Sequence, residues 1–111
     1  MTLLVTGSAG HLGEALMRTL RAAGRSAIGL DVQASPFTDA VGSVDDPAFV
    51  RGSMTGVQAV IHTATLHKPH VGTHSRRAFV DTNVSGTLTL LEAALEAGVR
   101  AFVYTSTTSA F

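Results

Sequence analysis

Two hydrophobic periods alternate along this chain. Leu3-Leu4-Val5 is a short continuous apolar run, the pattern of a strand covered on both faces. From Leu12 the spacing becomes helical: Leu12, Leu16 and Leu20, with Ala15 and Ala23 beside them, predict one apolar face on a helix that ends near Ala23. Gly24 follows as its C-terminal cap. Ser26 to Leu30 predicts a second buried strand ending on Asp31, and Ala34 to Thr38 is a loop carrying Pro36. Ala40 to Val44 predicts a short third strand. Asp46-Pro47, an N-cap followed by proline at the first helical position, opens a short helix running to about Met54, and Thr55-Gly56 breaks it. Gln58 to His62 predicts a fourth, mostly apolar strand, and Thr63 to His74 a polar loop. The longest helix spans roughly Arg76 to Ala97, with Val80, Val84, Leu88, Leu91 and Leu95 as its expected buried stripe and Gly98 as its stop. Ala101 to Tyr104 predicts a fifth strand that runs into the hydroxyl cluster Thr105-Ser106-Thr107-Thr108-Ser109.

The join between the first strand and the first helix carries the chemistry. Thr6-Gly7-Ser8-Ala9-Gly10-His11-Leu12-Gly13 has the spacing G-x-x-G-x-x-G, and each glycine has a separate physical use. Gly7 allows a tight turn, Gly10 lets backbone approach a pyrophosphate, and Gly13 lets helix and strand pack closely. The free N–H groups and positive dipole end of the new helix then face the phosphates. Asp31 lies 18 residues after Gly13, near the distance at which a dinucleotide-binding βαβ unit sets a carboxylate on the adenosine ribose. An anionic Asp31 would repel a 2′-phosphate, and no arginine sits at the next few positions to offset that, so NAD is expected over NADP.

The unbroken β/α alternation, with right-handed crossovers, predicts a Rossmann-like doubly wound parallel sheet in the order 3-2-1-4-5 with helices on both faces. Length supports one domain over residues 1–111 with a modest core, and 45% apolar against 14% charged residues suits a buried sheet. Eight basic and eight acidic residues cancel, which leaves no electrostatic footprint for nucleic acid or an anionic membrane. The absence of cysteine removes disulfides, thiolate catalysis and cysteine-based zinc sites. The first residues read as a strand and not as a signal peptide, and no apolar run reaches membrane-spanning length, so the cytoplasm is the default expectation.

Five segments fall together in order and spacing: Thr6 to Gly13, Asp31, Val60-Ile61-His62-Thr63-Ala64, Asn83-Val84-Ser85-Gly86-Thr87 and Val103-Tyr104-Thr105-Ser106-Thr107. On these residues the chain resembles the N-terminal half of an extended short-chain dehydrogenase/reductase of the NAD-dependent epimerase/dehydratase type. The resemblance implies that the Gly7–Gly13 loop, with Ala9, Gly10, His11 and Leu12, holds the pyrophosphate and that Asp31 holds the ribose. It implies that Ser43 and Val44 flank the adenine, and that Thr63, Ala64, Thr65 and Thr105 line the cofactor. It further implies that Asn83 supports the site from within the long helix and that Thr107 polarises the substrate hydroxyl or carbonyl. The implied chemistry is hydride transfer on a small molecule such as a sugar nucleotide. Ser43 stands where many relatives carry an adenine-binding aspartate, and Thr65 where alanine is usual. The family's catalytic Tyr-x-x-x-Lys lies beyond the equivalent of Phe111, together with most substrate-binding residues. The chain alone is therefore expected to be inactive, and a non-catalytic dinucleotide-binding or interaction module is the alternative. The family's usual dimer pairs the long helix with another helix outside this stretch, so a homodimer is implied for the full-length form only.

Tyr104, the one tyrosine, reads as a packing residue of the fifth strand. His67, His70 and His74 have ligand-like separations, but Pro69 and Gly72 argue for a loop and no carboxylate lies among them, so no metal site is expected. His62 reads as structural or cofactor-adjacent, and Lys68, Arg76 and Arg77 as solvated surface charge.

Overall fold

A computed structural model describes residues 1–107. Five parallel strands, β1 (Thr2–Thr6), β2 (Ser26–Asp31), β3 (Ala40–Val41), β4 (Val57–His62) and β5 (Ala101–Tyr104), form one sheet in the order β3-β2-β1-β4-β5. The predicted order and direction are therefore observed. Thr108, Ser109 and Phe111, the end of the hydroxyl cluster and of the chain, lie outside the described residues.

Side-chain alternation along each strand divides the sheet into two faces. Leu4 stands in register with Ile28 on one side and Val60 on the other, and Val60 with Phe102. This row belongs to the main apolar core with Leu30, Val50, Met54, Leu90, Ala93 and Ala94. Its cover is α2 (Pro47–Ser53) and the long helix that precedes β5. The helix α1 (His11–Ala22) packs along β1 and β2 with Met17 fully buried. Among the described residues no helix is long and apolar enough to cross a membrane.

The capping chemistry acts where the sequence places it. The Asp46 carboxylate accepts from Phe49 N at 3.3 Å and Pro47 opens α2, while Gly24, Gly56 and Gly98 take positive φ just past the three helices.

Four expectations need correction. The third strand is two residues long and not five. After Val41, Ser43 turns the chain, accepting from Asp45 N through its hydroxyl (3.1 Å) and from Asp46 N through its carbonyl (3.1 Å). Serine offers the backbone this local alternative to a ladder.

The face of α1 is rotated from the predicted one. Gly13 and Met17 are buried, Leu16 and Leu20 half-buried, and Leu12, Ala15 and Ala23 exposed. Gly13 must lie against the glycine turn, where a Cβ would collide with the Gly7 carbonyl, and that contact sets the helix rotation.

The long helix is continuous but not uniform. It comprises α3 (Arg76–Phe79), a π-helical segment (Val80–Ser85) and α4 (Gly86–Glu96). Its expected buried stripe faces outward, with Val80, Val84, Leu88, Leu91 and Leu95 between 45% and 83% exposed. Gly86, Leu90, Ala93 and Ala94 are buried instead. Apolar residues lie on both sides of this helix, so periodicity alone could not choose the inward face. Two things decide it. The small side chains allow close approach, since a Cβ on Gly86 would lie 2.6 Å from Val44 Cγ2. The same inward face also carries Asn83 and Thr87, whose polar groups meet partners on the sheet side.

The polar loop after β4 contains one 3-10 turn, Lys68–His70.

Candidate dinucleotide cleft

β1 pairs with β2 on one side and β4 on the other, so the chain reverses its direction of winding at this point of the sheet. Thr6 stands in register with Leu30 and His62, and His62 with Tyr104, which sets the carboxyl ends of the central strands abreast. Open α/β sheets bind ligands in the crevice at such a switch point. Here the crevice is a cleft of about 1060 Å³.

The glycine turn forms its floor. Gly7 has φ +74°, and a Cβ there would sit 2.5 Å from Thr63 Oγ1 and 2.9 Å from Ala64 N, so a side chain is excluded by conformation and by space. Gly7 N donates to Leu30 O at 2.8 Å and Gly10 N to Gly7 O at 3.0 Å, which closes the turn. Gly10 is the N-cap of α1 and makes no side-chain cap, so the opening N–H groups of the helix keep their capacity for an acceptor in the cleft. This glycine-lined cradle against an uncapped helix fits a pyrophosphate.

Asp31 closes one side. Its Oδ2 accepts from Ala9 N at 3.0 Å and its Oδ1 from Gln33 N at 2.9 Å. Each carboxylate oxygen retains a further acceptor site, enough for ribose hydroxyls. Val32, Gln33, Gly42, Ser43 and Val44 continue this wall.

The opposite wall follows β4. Thr6 Oγ1 is 2.6 Å from His62 Nδ1 and accepts from Thr63 N (3.0 Å) and Ala64 N (3.1 Å). The Thr63 hydroxyl donates to Thr6 O at 2.6 Å. Further along, Asn83 grips Leu66 twice, with Oδ1 accepting from Leu66 N and Nδ2 donating to Leu66 O, both at 2.8 Å. His62 itself has no solvent exposure, and its Nε2 lies 3.1 Å from Thr87 Oγ1. Burial lowers its pKa to about 4, so the ring is neutral at physiological pH. The Phe102 and Tyr104 rings pack on it at 6.1 and 5.9 Å.

Nearly every residue singled out from the sequence lines this one cleft: Gly7, Gly10, His11, Leu12, Gly13, Asp31, Ser43, Val44, Thr63, Ala64, Thr65, Asn83, Thr105 and Thr107. Ala9 does not, its N–H being turned to Asp31. Gly10 and Thr107 thus share one edge of the sheet. Tyr104, half exposed, also lines the cleft.

Sequence reasoning missed Leu66, Ala78 and Thr82, which also line the cleft, because helix phase and loop path were needed to place them. His67, His70 and His74 line its outer rim, stacked edge to face with centroids 4.6 and 5.2 Å apart. Among the described residues no group of three or more histidine and acidic side chains is arranged to hold a metal. Arg77 is exposed and pairs with Asp81 at 3.0 Å.

A five-stranded parallel sheet wound both ways from its centre, with a glycine turn and a strand-end carboxylate at the switch point, defines a Rossmann-like α/β protein. The chain belongs to the NAD dependent epimerase/dehydratase family, whose profile matches residues 3–111. It is 38% identical to sterol demethylase protein B of Methylococcus capsulatus, across 96% of this chain and 34% of that protein. It is 31% identical to UDP-glucose 4-epimerase of Streptomyces lividans, across 97% and 36%. A short-chain dehydrogenase/reductase superfamily protein from Agrobacterium tumefaciens, solved with bound NAD, superposes with a TM-score of 0.87 at 37% identity, covering 96% of this chain and 33% of that one. The chain thus spans about a third of the length of these relatives.

Proposed function

We propose that this chain is the dinucleotide-binding part of an NAD-dependent epimerase, dehydratase or reductase. Its substrate would be a small molecule with a hydroxyl or carbonyl group, a sugar nucleotide being the leading class. The observation that carries this reading is the shared cleft edge, which gathers the glycine turn, Asp31, the Thr63–Leu66 loop and Thr107. The turn and the first N–H groups of α1 would hold the pyrophosphate, and the two remaining acceptor sites of Asp31 the adenosine ribose. Ser43 and Val44 would flank the adenine, Thr63, Ala64, Thr65 and Thr105 the nicotinamide half, and Asn83 would act through its grip on Leu66. A bound NAD would supply the hydride acceptor. Thr107 would polarise the substrate oxygen. NAD would be preferred to NADP, because a 2′-phosphate would meet the Asp31 carboxylate.

A second reading is a dinucleotide-binding module without catalysis, which would use the same glycine turn and Asp31. The outward row Val80, Val84, Leu88, Leu91 and Leu95 is the surface we assign to pairing with a second copy in the full-length form.

Calorimetric titration of the protein with NAD tests the common core of both readings. Saturable binding that weakens in Asp31→Ala is the expected result; no binding at millimolar NAD overturns it. NAD-linked turnover then separates the enzyme from the module.

A further inference from the structure

The buried histidine at the end of β4 sits in a hydrogen-bond chain whose direction follows from counting donors and acceptors. The Thr6 hydroxyl oxygen has two lone pairs, and Thr63 N and Ala64 N occupy both. Its own O–H must then donate, and His62 Nδ1 at 2.6 Å is the partner. An imidazole that accepts at Nδ1 and is neutral carries its proton on Nε2. Burial enforces that neutrality, with the pKa lowered to about 4. The Nε2–H must in turn donate to Thr87 Oγ1 at 3.1 Å, and the Thr87 hydroxyl passes its own proton to Asn83 O at 2.7 Å. Every link then has one orientation, from the Thr63 and Ala64 amides through Thr6, His62 and Thr87 to the π-helical segment.

We propose that His62 is a positioning residue, held as its Nε2–H tautomer, that couples the long helix to the backbone of the cofactor-facing Thr63–Leu66 loop. The loop is tied to the helix twice, once through this chain and once through Asn83 on Leu66. The far end of the chain controls the near end. With the Thr87 hydroxyl removed, the buried Nε2–H has no acceptor and the ring is held at Nδ1 alone. A ring that shifts to find a partner for Nε2–H loosens its bond from the Thr6 hydroxyl, and with it the placement of Thr6 Oγ1. Thr63 N keeps a second acceptor in Thr6 O at 3.3 Å, whereas Ala64 N relies on Thr6 Oγ1. Ala64 N is therefore the amide whose protection reports the loss.

Two measurements on the 15N-labelled protein decide this. Long-range 1H–15N correlation of the wild-type His62 ring should find Nε2 protonated and Nδ1 bare; a proton on Nδ1 overturns the proposal. In Thr87→Val the Ala64 amide should exchange roughly tenfold faster, the scale of one lost buried hydrogen bond. The Val50 amide in α2 should be unchanged, and Thr87→Ser should restore the Ala64 rate. Unchanged Ala64 exchange in Thr87→Val, or a uniform acceleration across the sheet, overturns the coupling. Should Thr87→Val fail to fold, the wild-type tautomer alone decides the proposal. A third arm, NAD titration, rests on the proposed function: Thr87→Val should weaken binding about tenfold and Thr87→Ser about twofold or less. A wild type that binds no NAD would refute that function and leave the tautomer and exchange results to judge the relay.

Discussion

Asn83 holds Leu66 by both of its backbone polar groups, each at 2.8 Å, across 17 residues of sequence. A primary amide matches a peptide unit in donor and acceptor, so one side chain on the long helix clamps the loop that follows β4. Asn83→Ala leaves a part-buried N–H and C=O without partners, at a cost of about 1–3 kcal/mol for each orphaned group. The expected result in urea denaturation is a loss of about 2 kcal/mol or more with an unchanged m-value. NAD affinity should fall further than stability alone explains, because the wall of the cleft is released. A stability loss below about 0.5 kcal/mol would mean that water replaces the clamp.

Cofactor choice should follow the strand-end carboxylate. In parallel titrations the wild type is expected to bind NAD at least tenfold more tightly than NADP. Asp31→Ala should narrow that gap, mainly by weakening NAD. Equal affinity for both cofactors in the wild type would remove Asp31 from the ribose.

Two glycines with nearly the same φ separate strain from crowding. Gly7 has φ +74° with Thr63 Oγ1 at 2.5 Å from a would-be Cβ, whereas Gly24 has φ +70° with nothing within 4 Å. Gly24→Ala should cost only the conformational term, about 1 kcal/mol. Gly7→Ala adds a collision with backbone atoms and should cost roughly 3 kcal/mol or more, with NAD binding lost. Similar denaturation midpoints for the two variants would contradict the packing of the turn on the β4 loop.

Acid should find the buried imidazole. The folded-state pKa of His62 lies near 4, below the unfolded value of 6.5, so between these values the unfolded chain binds the extra proton. Its contribution is complete above pH 6.5, declines as the pH falls, and levels off below about 4. The slope approaches 1.4 kcal/mol per pH unit and totals roughly 3 kcal/mol. Urea midpoints from pH 7 to 4.5 should show this decline in the wild type. His62→Gln should have a flatter profile from a lower starting stability, and parallel profiles would assign the acid sensitivity elsewhere.

Catalysis should be absent from these 111 residues. A threonine hydroxyl is a poor acid or base near neutral pH, and a positioned proton-transfer group is worth on the order of 10²–10⁴-fold. NADH formation with sugar nucleotides, sugars and alcohols should stay at background. Turnover that survives Tyr104→Phe would show that another residue moves the proton.

The strands, their order and the cleft edge were legible in the sequence because their signals are local. An apolar run, a glycine turn and an acid at a strand end each need only neighbouring residues to be recognised, and right-handed crossovers restrict how such units combine. Asp46-Pro47 and Gly24 announced helix ends for the same reason, since a cap is a contact within one turn. The tertiary structure decided what depends on two surfaces meeting. The long helix carries branched residues on one side and Gly86, Ala93 and Ala94 on the other, and hydropathy cannot rank two apolar faces. The choice fell to small-residue packing against Val44 and to the partners that Asn83 and Thr87 find in Leu66 and His62. Those partners lie 17 and 25 residues away, beyond the reach of any periodicity. His62 shows the same division: its place at the end of β4 was readable in the chain, while its neutral, doubly bonded state exists only once Thr6 and Thr87 close on it from two other elements.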